Sequence, residues 1–166
     1  MALLAPRLPE RGVQGFPVNK TAASAGVVES AADSGHKVSV TGNVTTPKVF
    51  AIEDLRAMPT YDAKLPIACV EGWSAVAVWT GVRVRDLLDA AGAPADAEVR
   101  VESLQQKGLY RSSVLSPGHA RDALTLLALE VNGETLHPDH GFPCRLIAAN
   151  RPGVMQTKWV TELVVL

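Results

Sequence analysis

The sequence is short of cysteine, of aromatic residues and of clustered charge. Its 166 residues contain two cysteines, Cys69 and Cys144, with no histidine or cysteine at the close spacing of a zinc finger or ribbon, so a structural zinc site is excluded. From spacing alone the pair could be a disulfide, two buried apolar thiols, or one ligand and one bystander. Aromatic residues make up only 5% of the chain, and a core built instead on Val, Leu, Ile and Ala suits strands interleaved with short helices. The net charge of -1 arises from interleaved acids and bases. No Lys/Arg cluster is present to grip a polyanionic backbone, which excludes nucleic acid as a partner. The opening "MALLAPRLPERGV" is too short an apolar run for a secretory leader, and no later segment approaches the ~18 apolar residues of a membrane span. The chain reads as soluble as given: extracytoplasmic if it is one domain of a longer, membrane-tethered protein, and otherwise cytoplasmic. There is no glycine-rich strand-to-helix turn, which disfavours a doubly wound nucleotide fold, and no CxxCH haem motif.

What is present is a hydrophobic fraction of 47%, enough at this length for one domain. Residues 1–14 read as a mobile arm and 15–166 as the domain. The Ala/Gly/Ser/Pro-rich text up to about residue 35 lacks any period and reads as an extended arm that wraps the domain or stays loose. "KVSVTGNV" alternates as a strand with Val38 and Val40 inward, and "TPKVFAIEDLRAMP" reads as a strand running into a short helix. Val84, Leu87, Leu88 and Ala91 repeat at i, i+3, i+4 and i+7 before Gly92 and Pro94, which marks a helix and its end. "AEVRVESL" alternates, Asn132-Gly133 marks a hairpin turn, and "PCRLIAA" and "WVTELVVL" read as late strands. The expectation is α+β, with mixed β-sheets and a few inserted helices.

Two stretches carry candidate chemistry. In "LPIACVEGWSAVAVW" Cys69 follows an apolar run and precedes Glu71, Gly72 and Trp73, a chain leaving the core for a loop where a thiolate can reach a ligand. A soft sulfur suits a transition metal, and with no protein ligand nearby its other donors would come from a cofactor. In "HPDHGFPCRLIAANRPGVMQTKWV" the donors His137, His140, Arg145, Arg151 and Lys158 stand among glycines and prolines, an irregular loop able to hold an anion.

These two stretches, with "VTGNVTTPKVFAIEDL" before them, resemble the molybdopterin-binding domain of the sulfite oxidase superfamily over about residues 15–166. The resemblance implies that fold, a molybdenum-molybdopterin cofactor, and oxidoreductase activity that transfers an oxygen atom with two electrons to or from a small substrate. It implies that Cys69 binds the molybdenum, the pterin supplying further sulfurs. Asn19 in "FPVNKTAA", Ala22 and Ala23, Ser103, His140 and Arg145 of the "HG.P.R" signature, and Gln156, Thr157 and Lys158 match positions that contact the pterin. Tyr110 in "KGLYRSS" matches an active-site tyrosine, and Arg111 beside it could supply charge for an anionic substrate. Animal and plant sulfite oxidases carry an arginine shortly after the metal cysteine, where this chain reads "VEGWSA". That wording is closer to the bacterial branch containing the methionine sulfoxide reductase catalytic subunit. With no dimerising β-sandwich after residue 166, the resemblance implies a monomer served by a separate electron-transfer partner, such as a membrane haem protein or domain. Two other readings remain: a pterin-binding domain without turnover, and a hydrolase with Cys69 as nucleophile and Asp139-His140 as base and orienter.

Overall fold

A computed structural model describes residues 12–68 and 74–166. Its elements in chain order are α1 (Ala22–Ala25), α2 (Val28–Ala31), β1 (Lys37–Gly42), β2 (Lys48–Ala51), α3 (Ile52–Ala57), β3 (Tyr61–Ala68), β4 (Ser74–Arg83), α4 (Val84–Ala91), β5 (Val99–Ser103), β6 (Ser112–Leu115), α5 (Pro117–Arg121), β7 (Leu126–Val131), β8 (Glu134–Thr135), β9 (Arg145–Ile147) and β10 (Val160–Val165). Single 3₁₀ turns fall at Val13–Gly15, Leu109–Arg111, Pro138–His140 and Gly153–Met155. The strands form two sheets, so the α+β class read from the sequence is the class observed.

The first sheet runs β2-β1-β10-β5-β6, and its only parallel pairing among the described strands joins β1 to β10. The second runs β3-β4-β7-β8, with β9 added to β7, antiparallel throughout. Strand β7 belongs to two cores at once. Because successive strand side chains point to opposite faces, Leu127 and Leu129 enter the main core with Val38, Leu87, Val101 and Leu163, while Leu126 and Ala128 enter a second core with Phe16, Trp79 and Ile147. Helix α4 matches its sequence pattern: Val84, Leu87, Leu88 and Ala91 are all buried, and Gly92 at φ 70° closes the helix by donating to Asp89 and Leu88 carbonyls. The Asn132-Gly133 turn between β7 and β8 has φ of 50° and 79°, the left-handed pair that a two-residue hairpin requires.

Two readings are corrected. The N-terminal text is not a featureless extended arm: Thr21 caps α1 by accepting from the Ser24 N–H, Gly26 ends it, and Ala22, Val27 and Ala31 pack on Trp159. Nor does the segment holding Cys69, which the sequence reads as a strand-to-loop passage into the helix at Val84, feed α4 directly, because the ten-residue strand β4 intervenes. Cys69 itself lies outside the described residues.

Candidate functional site

Four chain segments, distant in sequence, meet at one place: residues 13–22, the β5–β6 connection, the turn Pro138–His140, and residues 151–159. The meeting is fastened by Lys158. Its Nζ donates to the Lys20 carbonyl at 2.8 Å and to the Asp139 carbonyl at 2.6 Å. Asp139 Oδ1 in turn accepts the Ala22 N–H at 2.9 Å, and Trp159 Nε1 donates to the Pro138 carbonyl at 2.8 Å. The β5–β6 connection closes in through Gly108. With φ 98° and a hypothetical Cβ only 3.0 Å from Gln105 Nε2 and 3.7 Å from Lys20 Nζ, that position leaves little room for a side chain. At Gly141, φ 112°, a Cβ would meet that of Arg145 at 2.8 Å, so glycine is what lets the turn pack on β9 and residue 158.

His140 lies beneath this surface, 1% exposed, stacked on Phe16 at 3.8 Å between ring centroids. Its Nε2 is 2.5 Å from the Val13 carbonyl, and since a carbonyl only accepts, that nitrogen carries the proton. Burial pushes its pKa down to about 4, the hydrogen bond to Val13 opposes this, and Arg145 and Lys158 add to the lowering, so the ring is neutral at physiological pH. Arg145 is 2% exposed and lies 5.1 Å from the Trp79 ring. Its Nη1 donates to the His140 carbonyl at 3.2 Å and Nη2 to the Gln156 carbonyl at 3.1 Å, while Nε has no partner. No carboxylate pairs with it among the described residues. Burial alone lowers its pKa to about 9, which leaves the group cationic at pH 7.

The remaining predicted residues divide by what they bond. Gln156 is a staple within its own loop: Oε1 accepts the Ala148 N–H at 3.2 Å and Nε2 donates to the Arg151 carbonyl at 3.1 Å. Thr157 shares a buried 2.8 Å hydrogen bond with Ser113 of β6. Ser103 Oγ accepts the Gln105 N–H at 3.0 Å, which shapes the start of the β5–β6 connection. Asn19 is half-buried and Ala23 exposed near Lys20. Tyr110 and Arg111 occupy an exposed turn, Tyr110 at 46%, beside Leu109 at 83%. Sequence reasoning passed over Lys20, Ser113 and Phe16, and read Trp79 as part of a chain leaving the core, where the structure buries it fully in β4. Lys20 lies next to Asn19 in the quoted stretch, but nothing local announces that its carbonyl receives a lysine 138 residues away.

The Asp139-His140 dyad does not form. Asp139 turns to the Ala22 N–H, and its Oδ2 is 3.8 Å from His137 Nδ1, while the His140 ring points to Val13. Cys144 is a free, fully buried thiol whose pKa burial pushes up to about 12, so it is an inert core residue. No cluster of three or more metal-ligating side chains occurs among the described residues. A cleft of about 600 Å³ lined by Val13, Gln14, Glu134, Thr135, Leu136, His137, Pro138 and Phe142 adjoins the arm. Of the candidate donors named from the sequence it holds only His137.

A model of the oxidoreductase molybdopterin binding domain matches residues 25–166. The chain belongs to that family. Among curated proteins it is 30% identical over 161 residues to the sulfite oxidase of Arabidopsis thaliana, an alignment covering 77% of this chain and 41% of that protein. It is also 30% identical over 140 residues to the protein-methionine-sulfoxide reductase catalytic subunit MsrP of Burkholderia mallei, covering 76% and 42%. Equal identity to both means that neither branch of the family is favoured, and the chain spans about two fifths of each relative's length. The crystal structure of the sulfane dehydrogenase SoxCD from Paracoccus pantotrophus superposes with a TM-score of 0.71 over 80% of this chain and 38% of that one, at 24% identity, which speaks for the fold. The residues present fit the family's cofactor. A buried arginine with an unpartnered Nε and no carboxylate paired to it among the described residues, beside a lysine that ties the arm to the site, is a donor set for a phosphorylated group.

Proposed function

We propose that this chain binds molybdenum-molybdopterin and catalyses two-electron oxygen-atom transfer on a small sulfite-like or sulfoxide-like substrate. The observation that supports this reading best is the uncompensated Arg145, buried beside the Lys158 tie in a chain of this family. A cation taken out of water needs a counter-charge, and a phosphate ester would provide one. Lys158 and Arg145 would hold that ester, with Asn19, the α1 start at Ala22 and Ala23, and Ser103 along the pterin. His140, Gln156 and Thr157 would contact the pterin from positions that the protein fixes, through His140 Nε2 on Val13, Gln156 on Ala148 and Arg151, and Thr157 on Ser113. Cys69, outside the described residues, would donate its thiolate to the metal. When bound, the cofactor supplies a centre able to exchange two electrons and an oxygen atom with substrate. Tyr110 and Arg111, exposed on their turn, are free to orient that substrate and balance its charge. A separate electron-transfer protein would restore the centre.

Elemental analysis of protein made in a host that synthesises the cofactor tests the reading. About one molybdenum per chain is expected, lost in Cys69→Ser, with pterin content falling several-fold in Lys158→Ala. Unchanged metal content and turnover in Cys69→Ser would overturn it.

A further inference from the structure

Of the five histidine, arginine and lysine side chains in residues 137–160, four make side-chain hydrogen bonds. His137 Nδ1 accepts the Asp139 N–H, His140 donates to Val13, Arg145 donates to two carbonyls, and so does Lys158. Arg151 is the exception. It is only 8% exposed, yet neither Nη1 nor Nη2 has a hydrogen-bond partner, and no carboxylate pairs with it among the described residues. Its backbone is nonetheless held: the carbonyl accepts from Gln156 Nε2 at 3.1 Å, and Asn150 before it adopts φ 60°. Gln156 also joins it to the second buried guanidinium, because its carbonyl receives Arg145 Nη2 at 3.1 Å.

Two guanidinium groups are thus buried with no acid paired to either among the described residues. Arginine seldom tolerates that arrangement, since burying charged Nη donors is costly unless acceptors replace the water. The open part of Arg151 is the planar fork that matches two oxygens of one anion. We propose that the Arg151 side chain is the receptor for a tetrahedral oxyanion, a sulfate-like or phosphate-like group that seats two oxygens on the Nη fork. That chemistry has two sources, the phosphate ester of the cofactor and an exchangeable oxyanion of substrate type. The inference goes beyond the cofactor assignment, because it concerns Arg151, a residue that assignment does not use.

Inorganic sulfate is the probe, titrated into cofactor-free protein against chloride at matched ionic strength, with thermal unfolding and calorimetry as readouts. Saturable, sulfate-specific stabilisation is expected of the wild type, with affinity at least tenfold weaker in Arg151→Gln and intermediate in Arg151→Lys, which keeps the charge without the fork. Without anion, Arg151→Gln should melt at the wild-type temperature or above it, because it removes an unpaired buried charge; a purely structural arginine would melt lower on removal. In protein made with cofactor, a parallel fall of pterin content in Arg151→Gln assigns the fork to the cofactor's phosphate. Pterin held at the wild-type level while sulfate affinity is lost assigns it to an exchangeable anion, and either result supports the proposal. Wild-type protein that responds to sulfate no differently from chloride overturns it, even should Arg151→Gln fail to fold. The molybdenum content of Cys69→Ser does not depend on Arg151, so the two proposals can fail separately.

Discussion

His140 shows how much of a residue's setting lies outside its local text. The "HG.P.R" wording marks it as a donor to a bound group, and the fold adds that its Nε2 donates to Val13 and its face stacks on Phe16, 127 and 124 positions earlier in the chain. The same distance hides the work of Thr157, bonded to Ser113, and of Gln156, whose amide closes its own loop. Arg145 and Lys158 were legible as cations; that one is buried without an acid is a property of the folded neighbourhood, which no local text carries. His140 has a measurable consequence. Its folded pKa of about 4 lies below the ordinary 6.5, so between those values the unfolded chain binds more protons and stability rises with pH. The contribution is complete above pH 6.5 and is lost as pH falls toward 4, on the order of 3 kcal/mol in all. Urea unfolding from pH 4 to 7 should show that slope, and His140→Gln should flatten it while lowering stability at pH 7.

Among the elements, those whose side chains alternate or repeat against a single core were readable in advance. Helix α4 and strands β1, β5 and β10 bury the apolar positions that their periods select. Strand β6 was not foreseen, for a definite reason: Ser113 faces inward to meet Thr157 while Val114 is 43% exposed, so the hydrophobic alternation runs backwards there. The β4–β7 contact depends on an absence of side chain. A Cβ at Gly81 would fall 2.1 Å from the Leu127 carbonyl oxygen and 2.6 Å from the Ala128 Cα, where the register shifts between Thr80 and Gly81. Gly81→Ala should therefore cost about 3 kcal/mol or more, since backbone cannot yield as a flexible side chain does. Its urea midpoint, compared with that of Ala77→Gly in the same strand, measures the difference between a clash and a lost methyl.

For the molecule as a whole, the arm is the component that joins the second core to the site. Phe16 lies edge-on to Trp79 in the second core, stacks on His140, and precedes the stretch whose Lys20 carbonyl takes Lys158. Phe16→Ala should cost about 3–5 kcal/mol, a fall of roughly 10 °C in Tm, and should raise the rate of cofactor loss more than a core truncation of equal cost remote from the arm. Dialysis followed by pterin fluorescence checks the second part. The pairing of β10 between β1 and β5 also imposes an order on biosynthesis. Until residue 165 has cleared the ribosome, the first sheet lacks an interior strand, and Lys158 is barely ahead of that point. The nascent chain therefore has no finished cradle to offer, and loading with any prosthetic group has to wait until translation of this region is over.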